Sequence, residues 1–339
     1  MSVAARLVVD RAAALRESRP TPYTRRMFSD GETTSWDVIG LGANSVDYVY
    51  VLPAYPQPSG SRAKMRVGAH FVSCGGQVAT ALACCARLGL RAKYVGVTGT
   101  DDNGRRIREE LGRRTIDLTD AVIRDLPNQF AVILVEEQSG ERIVLWDRDE
   151  RLQLRDRELP PDVLCATRVL HVDDVDQEAA IRAARLAGKH GVVVTSDIDR
   201  TTDLTMELVR SVTVPVFAEH VPRALTGEDD PERALRKLRR EHPGLLCVTL
   251  GANGAVALDG DRFLRSPAFK VNAVDTTGAG DVFRGGFIYA LLGGRSPMES
   301  LRFANAAAAL SCTRRGAMNG VPNLEEVTAL LANGEVHSI

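Results

Sequence analysis

Short, uninterrupted apolar runs recur along this chain, and most are separated by stretches with helical spacing. Residues 38–42, 92–97, 169–172, 192–196, 214–217 and 246–250 are such runs, continuous instead of alternating, which is the pattern of strands buried on both faces. Between them, residues 78–88 form a helical pattern closed by Gly89, and residues 103–112 form another that starts after Asp101-Asp102. Strands separated by helices pair in parallel, so this order predicts an α/β fold: a central, mostly parallel sheet with helices on both faces. Residues 255–258 and an extended segment at 269–274 add two further expected strands. Two patches break the alternation. Residues 47–73, rich in Pro, Gly, Tyr and Val, leave no room for a crossover helix, and residues 128–147 read as a hairpin turning at Gln138-Ser139-Gly140. Together they predict a small second β-sheet that acts as a lid.

The most chemically pointed stretch is Asp275-Thr276-Thr277-Gly278-Ala279-Gly280-Asp281. After it, apolar residues recur at Val282, Phe283, Phe287, Ile288, Leu291 and Leu292, the spacing of one helix face. The small residues therefore stand at a helix start, where backbone N–H groups lack partners and the helix dipole is positive. Such a terminus accepts an anion, and glycine lets the backbone approach a phosphate closely. A carboxylate at Asp281 beside that positive end suits a base that takes a proton from a hydroxyl attacking the phosphate. The plainer reading is an Asp that complements a helix dipole.

Composition narrows the classes. The 339 residues carry 43 Lys and Arg against 44 Asp and Glu, a net charge of −1, so no bulk field draws the chain to nucleic acid or an anionic membrane. No apolar run approaches the ~18 residues of a membrane span. The six cysteines, at 74, 84, 85, 165, 247 and 312, show no zinc or redox spacing and read as buried thiols of a reducing cytosol, which predicts a cytoplasmic protein. Residues 1–35 stand apart as an extension, with a short amphipathic helix expected at 4–16 and a break at Ser18-Arg19-Pro20-Thr21-Pro22. Gly40-Leu41-Gly42-Ala43-Asn44-Ser45 falls short of a dinucleotide fingerprint, because the third glycine is missing and strand residues resume at once.

Val274 to Gly280, with Asp281 and Phe283, resembles the second signature of the PfkB, ribokinase-like family of carbohydrate kinases. The resemblance extends over residues 36–333, with 334–339 as a tail, and Gly75-Gly76 with Ala79 and Leu88-Gly89 matches the N-terminal signature. It implies the ribokinase-like fold and transfer of the γ-phosphoryl group of ATP to a sugar hydroxyl. Gly278, Ala279 and Gly280 then form the anion hole and Asp281 is the base. Asp47, Gly75, Gly76 and Gln77, with Asn44 and Thr80, fall on the sugar side; Gln77 and Thr80 stand where many members carry Asn. The hairpin arginine Arg142, with Arg148 second to it, is the lid candidate for reaching the acceptor. Thr249, Gly251, Gly254, Thr277 and Asn305 fall on the nucleotide side.

The family's N-x-x-E motif is degraded to Ala218 and Val221, which leaves Glu219 as the neighbouring acid for indirect Mg²⁺ binding and Asp197 and Asp199 as alternatives. Asp275 and Thr277 fall where some members hold a monovalent cation such as K⁺. Residues 171–176, rich in Asp, match no metal-ligand spacing and read as a strand-end loop. Scaffold positions look closest to ketose-type kinases, including sulfofructose kinase. The alternatives are a nucleoside kinase of the same fold and a non-catalytic sensor of sugar or nucleotide. Relatives that pair through their lids make a homodimer the expected assembly.

Overall fold

The computed structural model describes residues 34–337, so the expected helix at 4–16 lies outside the described residues. The chain enters the large sheet with β1 (Trp36–Leu41) and leaves it at once for the small sheet, with β2 (Ser45–Leu52) and β3 (Ala69–Gly75). α1 (Gln77–Arg87) returns it to the large sheet at β4 (Ala92–Val95). β5 (Val97–Gly99), α2 (Asp102–Arg113) and β6 (Val122–Arg124) follow, then the hairpin β7 (Phe130–Glu136) and β8 (Arg142–Asp147). α2 begins where the acidic pair predicted, with the Asp101 carboxylate accepting from Gly104 N–H at 3.0 Å.

From there the alternation is regular: α3 (Pro161–Cys165), β9 (Thr167–Asp173), α4 (Gln177–Lys189), β10 (Val193–Ile198), α5 (Thr205–Ser211), β11 (Val214–Ala218), α6 (His220–Thr226), α7 (Pro231–Leu238) and β12 (Leu246–Thr249). β13 (Ala255–Asp259) and β14 (Arg262–Ser266) close the sheet, and α8 (Ala279–Leu292), α9 (Pro297–Ser311) and α10 (Leu324–Asn333) complete the chain. The eight strands run in the order β14-β13-β12-β11-β10-β9-β1-β4, parallel from β4 to β12 and antiparallel through β13 and β14. One apolar cluster packs α1, α8 and α9 on one face; a second packs α4, α5 and α7 on the other. This is the ribokinase-like α/β arrangement expected from the sequence, with its sheet mixed at one edge.

The small sheet, β3-β2-β7-β8, joins the two strand-only patches as predicted. β2 pairs antiparallel with β3 and parallel with β7, and β7 carries β8 as a free edge. The expected strand at 269–274 is a correction. The sheet takes residues 262–266 instead, because the hairpin turn at Gly260 (φ 61°) sends the chain straight back along β13. Residues 269–274 then leave the sheet, and Val274 is 50% exposed. The end of the chain clasps this segment: Lys270 N–H donates to Glu335 O at 2.8 Å and His337 N–H to Ala268 O at 2.9 Å.

Candidate active site

The 275–281 stretch is a turn built to hold its own shape. Asp275 accepts from Thr277 N–H at 2.9 Å through one oxygen and from Gly316 N–H at 2.8 Å through the other. Cys312 O accepts from both Val274 N–H and Asp275 N–H, at 2.7 and 3.1 Å. Gly278 then takes φ 76°, a left-handed conformation that costs other residues about 1–2 kcal/mol, and a Cβ there would stand 2.7 Å from that of Ala317. α8 begins at the next residue, so the positive end of a 14-residue helix opens over this turn. The hydroxyl of Thr277 is buried beside it without a partner.

Asp281, in the first turn of α8, lies deep among other groups while keeping part of its surface open. Burial pushes its carboxyl up to about 7; Arg284 pulls it down, and the carboxylates of Asp47, Asp199 and Asp173 add to the rise. Asp47, on β2, is buried too and pushed up to about 6, with the Ser45 hydroxyl, 2.8 Å away, holding it lower. Two carboxyls of raised proton affinity, electrostatically coupled, thus sit at the junction of the two sheets. A carboxylate tuned close to neutral pH can accept a proton there.

The Asp47 side of the site depends on Gly75, at the end of β3, since a side chain there would collide with the Asp47 carboxylate. Gly76 (φ 95°) makes the turn into α1, and Gln77 opens that helix. Thr80, one turn later, is fully buried with an unpartnered hydroxyl, and its methyl lies against Gly278, so α1 and the anion turn meet. Arg142, at the start of β8, donates to the Thr276 hydroxyl and so links lid to turn. Arg148 is spent elsewhere: it pairs with Asp176 at 2.9 Å and donates to Leu152 O at 3.0 Å. Asn44 is likewise committed, donating to Tyr94 Oη at 2.7 Å and Val97 O at 2.8 Å while accepting from Asn128 at 2.9 Å. It braces the strand end beneath the site.

Beyond the turn lies a cleft of 510 Å³ lined by Thr249, Gly251, Gly254, Phe269, Phe283, Asn305 and Ala308, and bounded by Arg142, Thr276, Ala279 and Gly280 at the turn end. It is apolar at one end and opens onto the helix start at the other, which suits a flat base with a phosphate tail. Gly254 (φ 85°) lets the strand-end turn pass against Ser266 O, and Asn305 donates to Ser266 O at 2.9 Å. Sequence reasoning missed two lining residues, Cys312 and His337, and one buried neighbour, Arg284. His337 carried no signal, since only the clasp of the chain end brings it there. Arg284 did: it is a lone charge on the apolar helix face from Val282 to Leu292.

No group of three His, Cys, Asp or Glu side chains capable of holding a metal occurs among the described residues. Mg²⁺ on nucleotide phosphates keeps most of its waters and asks for one or two carboxylates at most, so this donor set is compatible with it. Glu219 is exposed at the start of α6. Asp197 is not available, being paired with Arg284 at 2.6 Å. Asp173, Asp174 and Asp176 accept from the N–H groups of Ala43 and Val175, Asp199 and Arg200, and Leu154, respectively, the strand-end bracing expected of that cluster. No helix among the described residues is long and apolar enough to cross a membrane.

Residues 48–324 match the family profile described as pfkB family carbohydrate kinase. The chain is 28% identical over 301 residues to the ribokinase of Haemophilus influenzae, covering 86% of this chain and 97% of that one. It is 27% identical over 299 residues to the nucleoside kinase of Methanothermobacter thermautotrophicus, covering 86% and 94%, and 28% identical over 322 residues to fructokinase-1 of Oryza sativa, covering 87% and 97%. The structure of Arabidopsis thaliana ribokinase complexed with ribose and ATP superposes with a TM-score of 0.74 at 25% identity, covering 87% of this chain and 98% of that one.

Proposed function

This chain belongs to the pfkB family of carbohydrate kinases, and from that premise we propose that it phosphorylates a small carbohydrate, a ketose or related sugar, at the expense of ATP. The observation that carries the reading is Asp281: a carboxyl pushed up to about 7, at the positive start of α8, electrostatically coupled to the buried Asp47. The acceptor hydroxyl lies between Asp47 and Asp281. Asp281 takes its proton as the oxygen bonds to the γ-phosphorus, the bond from that phosphorus to the β–γ bridging oxygen breaks, and ADP departs with the electron pair. The backbone amides of residues 278–280 hold the equatorial oxygens as their charge shifts. Arg142 draws the lid onto the turn at Thr276 and so excludes water, which would otherwise compete for the phosphoryl group.

The phosphate tail of ATP runs toward the 278–280 turn and its base occupies the cleft beside Asn305, between Thr249, Gly251 and Gly254. Mg²⁺ bound with ATP neutralises the β- and γ-oxygens, with Glu219 as the acid facing its waters. A monovalent cation belongs beside Asp275 and Thr277, and replacing K⁺ by a bulky organic cation in the assay tests that. Gln77 and Thr80, on the acceptor side, read the sugar. The assembly we assign is a homodimer through β8, whose residues are all exposed and include Ile143, Leu145 and Trp146.

Nucleosides are the second acceptor class, favoured by Trp146. Pairing register places Ser73, Asp47, Ala131 and Trp146 in one row across the lid, on one face, and Trp146 is 60% exposed. A base could stack on that ring. The test is ADP release with Mg-ATP against a panel of ketoses, aldoses, sulfofructose and nucleosides. A sugar that raises ADP release in the wild type and fails to do so in Asp281→Asn supports the reading. Stimulation by nucleosides alone moves it to the second class, and tight ATP binding with no stimulation by any acceptor moves it to a sensor.

A further inference from the structure

The Arg284–Asp197 pair is the one strongly buried charge pair that the mechanism above leaves unused among the described residues. Arg284 and Asp197 are 4% and 2% exposed, and the pair measures 2.6 Å. The guanidinium also leans on Val216 O at 3.5 Å, and its Nε is buried without a partner. Around it are Val282, Phe283, Phe287 and Ile288, all buried. A Met or Leu would fill such a place without desolvating two charges, and buried pairs of this kind are often no more stabilising than apolar replacements. Stability gives the pair no purpose.

Its position does. Arg284 follows Asp281 by three residues, so both stand on one side of α8. A Cβ on Gly280 would lie 2.8 Å from Arg284 Nη1, which puts the guanidinium directly behind the anion turn. The charges facing Asp281 from other elements are acids: Asp47 from β2, Asp173 from the end of β9, and Asp199 just beyond β10. Asp197, on β10, faces Asp174 and Asp199 as well as Arg284 and Asp281. His171, on the same face of the sheet, is fully buried, pushed down to about 3 by burial and then by Arg284, and so carries no charge. Against this gathering of carboxyls stands Arg284.

We propose that Arg284, anchored by Asp197, is a positioning residue for phosphoryl transfer: its guanidinium backs the 278–280 turn and keeps Asp281 available as a carboxylate. The catalytic consequence rests on the kinase reading; the electrostatic relation between Arg284 and Asp281 does not. Asp197 fixes where that charge stands, because a free arginine on α8 would swing toward solvent instead of lying under the turn.

The experiment is a carboxyl-carbon NMR titration of protein labelled at aspartate, with the Asp281 signal assigned by Asp281→Asn. Wild type, Arg284→Gln, Arg284→Lys and Asp197→Asn are compared, and thermal melts establish that each is folded. Arg284→Gln raises the Asp281 midpoint by about one unit or more, the size expected when an adjacent opposite charge is removed. Arg284→Lys, which keeps the charge, stays close to wild type, and Asp197→Asn falls between. An unchanged midpoint in Arg284→Gln overturns the proposal; should that variant not fold, an unchanged midpoint in Asp197→Asn does so. In turnover, Arg284→Gln shifts the acid limb of kcat to higher pH and lowers kcat at pH 7 about tenfold, with recovery at higher pH and no change in KM for ATP. A wild type without acceptor-dependent turnover would remove the kinase reading while the titration still decides the electrostatic relation.

Discussion

Replacing Asp281 by Asn should abolish turnover and, above neutral pH, stabilise the fold. In the unfolded chain this carboxyl ionises around its ordinary value of 3.8, and in the fold only around 7. Between those values the folded protein holds a proton that the unfolded chain has released, so stability falls as pH rises through that window. A gap of about three units at about 1.4 kcal/mol each sets an upper limit of about 4 kcal/mol at pH 8. Part of the carboxyl surface is open and its charge is coupled to that of Asp47, so about 2 kcal/mol is the expected share. With unfolding entropy near 2.1 cal/mol/K per residue over about 300 residues, that is a rise in Tm of about 3 °C. The assay is a pair of thermal melts, wild type against Asp281→Asn, at pH 8 and at pH 4.5. The advantage of the variant should be clear at pH 8 and shrink below about 1 kcal/mol at pH 4.5, where both states approach protonation. An offset that is the same at both pH values, or a variant less stable at pH 8, would refute the reasoning that burial holds this carboxyl in an unfavourable charged state.

Gly75→Ala places a methyl against the Asp47 carboxylate, and steady-state kinetics should show kcat/KM for the acceptor falling about 10²-fold with KM for ATP unchanged. Arg142→Ala removes the link between lid and anion turn, so the ratio of ATP hydrolysis to acceptor phosphorylation should rise, measured as phosphate release against ADP release. Leu145→Glu puts a charge on the exposed edge strand β8 and should convert a dimer to a monomer in sedimentation without loss of the fold; an unchanged sedimentation coefficient would remove the lid from the interface.

The layout of the fold was legible because burial imposes a pattern. Residues 169–172 and 214–217 could be recognised as strands since both faces of the sheet are covered, and 128–147 as a hairpin since Ser139 and Gly140 sit between two β-rich runs. The anion turn was legible for a different reason: its backbone demands glycine at φ 76° and its chemistry demands an acid one turn into the helix. Long-range relations were not. Nothing local distinguishes Asp197, spent on Arg284, from the exposed Asp199 two residues later, and so both looked equally open to a metal. Asn44 looked like a sugar contact because amides bind hydroxyls, yet Tyr94, Val97 and Asn128 take its whole hydrogen-bonding capacity from 50 or more residues away. The segment at 269–274 has the composition of a strand, and only the clasp by residues 335–337 explains why it does not join the sheet.

The most direct test of the account follows the phosphoryl group itself. With ATP labelled in the γ-phosphate, single-turnover reactions of wild type and Asp281→Asn are quenched in the presence and absence of the best acceptor. The account predicts label in a sugar phosphate for the wild type, little label in inorganic phosphate, and transfer slowed about 10²- to 10⁴-fold in the variant. Label that appears as inorganic phosphate at one rate whether or not acceptor is present, or transfer that proceeds unimpaired without the Asp281 carboxylate, would contradict it.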